Sequence, residues 1–227
     1  MPLGYEITKA SASETTKLLP MVEGLKQRHP EIIEAAKDMA ADKGYDSEDN
    51  NRELYDRYGI KPVIDIRESW KDEKKLKIKT RPLYEDKADR IVYDNKGSIY
   101  CHCGRGDDTK KDYAAMAYMG YESDRRTLKY RCPAGAYGMT CLNRDSCGGG
   151  NYGEYGRVIR IPIEKDRRIF TPIARSSYAF ERIYKGRRAV ERVNSRIDNV
   201  FGFEFHYIRG KAKMTLRMSL ALVMTIT

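Results

Sequence analysis

Residues 177–199, SYAFERIYKGRRAVERVNSRIDN, decide how the chain is read. Taken as one helix at about 100° per residue, the stretch brings Tyr184, Arg187 and Glu191 onto one face, with Asp198 further along it. Val190, Val193 and Ile197 form a second, apolar stripe able to pack on a sheet, and Gly186 is the one poor helix former inside the run. Residues 181–192 alone hold five basic groups against two acidic ones. Such a face has two readings. Arg187 and Glu191 can form a solvated i,i+4 ion pair contributing about 0.2–0.5 kcal/mol, or the helix can deliver Glu191 to a chemical site.

Composition narrows the choice. The chain has 227 residues, 41% hydrophobic and 33% charged, enough for one core with an insertion or for two small domains. Its formal net charge of +10 points to a polyanionic partner, because basic groups that neutralise phosphates release counterions. The opening residues MPLGYEITKAS lack the basic and apolar regions of an export signal. The most apolar run, 218–227, is only ten residues, against the roughly 20 that span a bilayer. No membrane partner is therefore expected, and the run reads as a closing core helix. Five cysteines without an export signal favour a reducing, cytoplasmic setting over a disulfide framework.

Outward from the basic stretch, the first 67 residues alternate between strand and helix patterns. LGYEIT at 3–8 reads as a strand, followed by a helix over 14–24 capped by Ser11 or Ser13 and a short helix over 31–37. A short apolar strand then ends at Asp42, Gly44 and Tyr45 turn the chain, a helix runs from Ser47 to Tyr58, and PVIDI at 62–66 is a buried strand. This is the rhythm of an α/β sheet. Asp42 falls at a strand's carboxyl end, where ligands approach such sheets, although Asp-x-Gly is also an ordinary turn.

Two motifs now carry a resemblance. Tyr184-x2-Arg187-x3-Glu191 resembles the signature around the last acidic residue of DDE transposases of the IS4/IS1182-like type. ADKGYDS at 41–47 resembles their second acidic site, and the flanks LGYEI and FGFEFHYIRG fit as well. The resemblance covers most of the chain, best over 1–67 and 173–227. It departs at Asp198, where the family pattern has Lys, so that residue's contact with the transposon end would go unfilled or pass to Arg192 or Arg196.

The resemblance implies an α/β, ribonuclease-H-like mixed sheet flanked by helices and interrupted by a partly β insertion. It implies Mg²⁺ or Mn²⁺ held by Asp42 and Glu191. Such ions prefer carboxylate oxygens, and a pair of them activates the nucleophile and stabilises the leaving oxygen of a phosphodiester. Arg187 would hold a phosphate or orient a ligating carboxylate, Tyr184 would meet a distorted nucleotide, and Arg188, Arg192 and Arg196 would bind DNA. Transposon ends and target DNA are the implied partners, with a homodimer in the full-length enzyme, associated with the bacterial nucleoid. The family's first Asp lies on a strand that would fall before Met1, so the chain is expected to be truncated at its N-terminus and catalytically incomplete alone. Glu6 and Glu14 are the nearest upstream carboxylates.

Residues 1–67 and 173–227 thus read as two parts of one core, and 68–172 as an insertion. Within the insertion, 90–104 reads as a hairpin turning at DNKG, 143–157 as a glycine-rich connector, and 158–162 as a returning strand. Cys103, Cys132, Cys141 and Cys147, with Cys101 alongside, admit a zinc site or simple thiols in a β-rich module, and no C-x2-C knuckle decides between them. The rival to a transposase fragment is a non-enzymatic basic DNA-binding protein with a zinc-stabilised cysteine module. A third reading is another two-metal nuclease, which would cleave without joining ends.

Overall fold

In the computed structural model, residues 3–9, 12–67, 80–85, 90–102, 113–143, 147, 156–203 and 205–226 are described. Helix α1 (Leu18–Arg28) and the short α2 (Pro30–Ala35, with Pro at its first position) lead into strand β1 (Asp38–Ala41). Helix α3 (Glu48–Tyr58) follows, its start fixed by Ser47, whose hydroxyl accepts the Asn50 N–H at 3.1 Å. Gly59, in the left-handed region at φ 69°, ends it and turns the chain into β2 (Lys61–Ile64). The two strands are parallel, which requires the crossover that α3 provides. Leu18 and Val22, Ile33, Ala41, Leu54 and Ile64 from these elements close over one another as the first core.

The strand expected at 3–8 does not form: residues 3–9 have no regular structure, and Leu3 and Tyr5 are exposed. Alternation states which side chains could share a face but supplies no neighbour, and among the described residues β1 pairs only with β2. Beside Met39 of β1 an apolar groove of about 640 Å³ opens instead, lined by Tyr5, Leu25, Val193 and Met218 among others.

Between β2 and the basic stretch lie two antiparallel sheets. The first joins β3 (Arg81–Pro82), β4 (Ile91–Tyr93), β5 (Ile99–His102) and β6 (Tyr113–Ala115); the second joins β7 (Ala117–Glu122), β8 (Thr127–Arg131) and β9 (Val158–Pro162). The short helix α4 (Pro133–Tyr137) follows β8. Ile91 and Ile99 from the first sheet meet Leu128, Tyr130, Ile159 and Ile161 from the second, and Phe170 fills the space beside Tyr93 at 5.3 Å between ring centres. The turn at 94–97 forms where DNKG stands. Asp94 Oδ1 accepts the N–H groups of Lys96 and Ser98, and Gly97 adopts φ 78° with Ile169 pressed against the place a side chain would occupy.

One end of the second sheet is tied together by an ionised carboxylate. Glu122 accepts from Arg160 Nε at 2.7 Å and from the Thr127 hydroxyl at 3.1 Å, and the Arg160 hydrogen bond is the main reason its carboxyl sits below the ordinary value of 4.5. A folded value below the unfolded one gives stability that is complete above pH 4.5 and lost as pH falls through the lower value. Urea midpoints measured across this range should therefore fall on acidification, and Glu122→Gln should flatten that fall.

Ions tie the sheets to the first core. Asp46, with a fully buried side chain, accepts from the Arg67 N–H at 3.1 Å and from Arg168 Nε at 2.9 Å. Arg175, equally buried, donates to the carbonyls of Ile64 at 2.9 Å and Ile169 at 2.6 Å, while its Nη2 lies 3.9 Å from Asp46 Oδ1. Burial pushes the Arg175 guanidinium down to about 10, against the opposing pull of the Asp46 charge. A second link runs from Asp56 on α3 to Arg126 and to Arg167, the latter at 2.7 Å.

The basic stretch is two helices rather than one. Helix α5 (Tyr178–Lys185) stops at Gly186, and α6 (Arg188–Phe201) starts after Arg187. Across the break the N–H groups of Gly186 and Arg187 bond three residues back, to Ile183 and Tyr184, so the chain tightens where glycine weakens the helix. Of the apolar stripe only Ile197 is buried, and Val190 remains 60% exposed. The final helix α7 (Lys211–Ile226) also departs from expectation. Leu216, Leu220 and Val223 are exposed and Ala221 alone of its described residues is buried, so most of its apolar residues stay outside a core, and no described helix is long and apolar enough to cross a membrane.

Candidate functional site

Asp42 leaves β1 in extended conformation and caps the tight turn Lys43–Tyr45, its Oδ1 accepting the Lys43 N–H at 2.8 Å. Glu191 stands in the first turn of α6, where the helix dipole favours a negative charge. Between them lies Arg187, in the break between the helices. Its Nη1 is 3.4 Å from Asp42 Oδ1 and 2.8 Å from Glu191 Oε1, so the two oxygens are no farther apart than the sum of those contacts, about 6.2 Å. Two carboxylates separated by 149 positions in the chain thus meet on one nitrogen. Both are about half exposed, at 55% and 52%.

The supporting layer is aromatic. Ser177 caps α5 by accepting the Phe180 N–H, and buried Phe180 stacks on Tyr184 at 5.7 Å with the rings 15° from parallel. The Arg187 guanidinium lies 5.1 Å over the Tyr184 ring. Desolvation raises the Tyr184 phenol above its ordinary value, with Asp65 and Asp42 adding to the rise and the Arg187 charge opposing it.

Asp65 is a site neighbour that pattern reading passed over. Ala41 and Ile64 are the last paired residues of β1 and β2, so Asp42 and Asp65 leave the sheet at the same level. Lys43 Nζ holds Asp65 Oδ2 at 2.9 Å. The available signal was positional: in PVIDI, as in MAAD, an Asp directly follows an apolar strand.

The other expected residues fall into two groups. Arg188, Arg192 and Arg196 are exposed along α6, and at 1.5 Å rise per residue they recur about every 6 Å. None pairs with a carboxylate among the described residues. Cys103 lies outside the described residues. Cys132, Cys141 and Cys147 are half-buried, with Arg157 Nη1 4.0 Å from Cys147 Sγ. Among the described residues no three His, Cys, Asp or Glu side chains are grouped to hold a metal ion. Glu6 is paired with Lys17 at 2.9 Å, and Glu14 lies against Gly44.

Chemically, Asp42 and Glu191 offer only oxygen donors, around a point already held by a positive group. This suits a hard divalent ion that keeps most of its waters, rather than one enclosed in a protein cage. A family model described as a transposase DDE domain matches residues 1–226. No curated protein and no solved structure matches.

Proposed function

The chain belongs to the transposase DDE domain family, and from that premise we propose that Asp42 and Glu191 are two carboxylates of its DNA-cutting site. DNA cleavage and strand transfer in transposition are the family's chemistry, with DNA as substrate and divalent ions as cofactors. The observation that carries the assignment is the shared contact of both carboxylates with Arg187.

In this reading Asp42 and Glu191 hold Mg²⁺, or Mn²⁺ in its place, and the metal supplies an activated nucleophile and charge stabilisation at the leaving oxygen. While no metal is bound, Arg187 neutralises and orients the carboxylates, and Tyr184 gives it a flat support. Arg188, Arg192 and Arg196 follow the sugar–phosphate backbone as point contacts that carry no sequence information. The finer placement, an IS4-type ribonuclease-H-like core split by an insertion over 68–172 and acting as a homodimer, rests on the motif resemblance. So does the remaining acidic residue.

Mn²⁺ titration of the full chain, read by the electron paramagnetic resonance of the free ion, tests the assignment. Asp42→Asn and Glu191→Gln should each weaken binding about tenfold or more. Unchanged Mn²⁺ affinity in both variants would remove these residues from the site. The rival reading, a DNA-binding protein with a zinc-held cysteine module, makes the opposite forecast: DNA binding indifferent to Mg²⁺ and lost when zinc is stripped.

A further inference from the structure

The position between the two carboxylates is held by a cation of the chain's own. Arg187 Nη1 lies within 3.4 Å of Asp42 and 2.8 Å of Glu191. A divalent ion bound by both oxygens would have to occupy the space that this nitrogen takes, since metal–oxygen bonds of about 2.0–2.1 Å leave no room for a guanidinium between them. Like charges also repel strongly where solvent is partly excluded. One cation must therefore yield to the other.

Arg187 is built to yield. It belongs to neither helix, standing in the tightened break after Gly186. Its side chain is one-quarter exposed, and its Nε has no hydrogen-bond partner. Its neighbour in sequence, Arg188, begins the exposed row that continues through Arg192 and Arg196. A guanidinium released from the carboxylates would extend that row at the end nearest the site, where a phosphate oxygen can accept two of its N–H groups.

We propose that Arg187 is a transferable cation, bridging Asp42 and Glu191 when no metal is bound and passing to a DNA phosphate when a divalent ion takes the carboxylates. Metal and DNA backbone then bind with positive coupling, and linkage makes the effect reciprocal: each raises the other's affinity by the same factor. The proposal rests on the assignment of Asp42 and Glu191 as metal-binding carboxylates, and adds the passage of Arg187 to a DNA phosphate, which the assignment does not require.

The test uses the full chain, Mn²⁺ read by electron paramagnetic resonance, and a short DNA duplex read by fluorescence anisotropy at constant ionic strength. Arg187→Gln and Arg187→Ala should bind Mn²⁺ about fivefold or more tightly than the unaltered chain, within the usual range of coupled sites. Arg187→Lys, which keeps a charge, should stay near the unaltered value. In the unaltered chain Mn²⁺ should tighten DNA binding, and that gain should vanish in Arg187→Gln and in Asp42→Asn. If Arg187→Gln leaves Mn²⁺ affinity unchanged or weaker while Asp42→Asn abolishes it, the carboxylate site stands and the exchange is wrong. If Mn²⁺ binding depends on neither Asp42 nor Glu191, both fall together.

Discussion

Asp46→Ala is expected to lower stability by about 3–5 kcal/mol, the usual cost of removing one partner from a buried ion pair. Asp46 and Arg175 have side-chain exposures of 0% and 2%, and Arg168 completes the cluster from the segment returning from the β sheets. At neutral pH Arg175, even when pushed down to about 10, keeps its proton. The substitution would leave a buried guanidinium charge hydrogen-bonded to the carbonyls of Ile64 and Ile169, with only the more distant charges of Asp65 and Asp166 to offset it. Since the whole stability of a domain is about 5–15 kcal/mol, the urea midpoint should drop steeply. A loss under about 1 kcal/mol would mean that the cluster is solvated and contributes little. Replacing both partners together by Leu and Met should recover much of the loss, because the penalty lies in the orphaned charge rather than in the missing attraction.

The second large effect concerns DNA. Replacing Arg188, Arg192 and Arg196 together by Ala should cut affinity for an arbitrary duplex on the order of a hundredfold at low salt. The slope of log affinity against log salt should shrink by about 0.9 for each arginine that touches a phosphate. Anisotropy titrations at several salt concentrations measure both. An unchanged slope would show that the duplex lies on another face, since these side chains are exposed and make little contribution to packing. Stability should barely move, which separates this loss from that of Asp46→Ala.

Much of this architecture can be read from local pattern. The apolar runs before Asp42 and Asp65, the Ser47 cap, the Asp94 to Gly97 turn and the strand at 158–162 are all encoded within a few residues of where they act. What failed was whatever depended on a distant neighbour. Among the described residues the alternation at 3–8 finds no strand to pair with, and Leu216, Leu220 and Val223 of α7 stay exposed. The break at Gly186 was visible as a weak point, yet only the bonds from Gly186 and Arg187 back to Ile183 and Tyr184 show that the helix divides there.

The site divides along the same line. Spacing alone puts Arg187 and Glu191 one turn apart, whereas the contact from Arg187 to Asp42 needs α5 to be laid against β1 and β2. Asp65 escaped notice because one carboxylate after a strand is unremarked until a second is seen at the same height. Lys43, next to Asp42, reaches across to it, so two cations and three carboxylates end up at one mouth of the sheet.

The parallel pairing of β1 with β2 also sets where the gene can drift. A residue gained or lost in the crossover would disturb the packing of α3 and its buried Leu54, yet the register of the strands, which keeps Asp42 and Asp65 side by side, does not depend on the crossover's length. A single codon inserted within Met39–Ala41 or Pro62–Ile64 is another matter: with a side-chain repeat of two, it would send one of the acids to the opposite surface of the sheet.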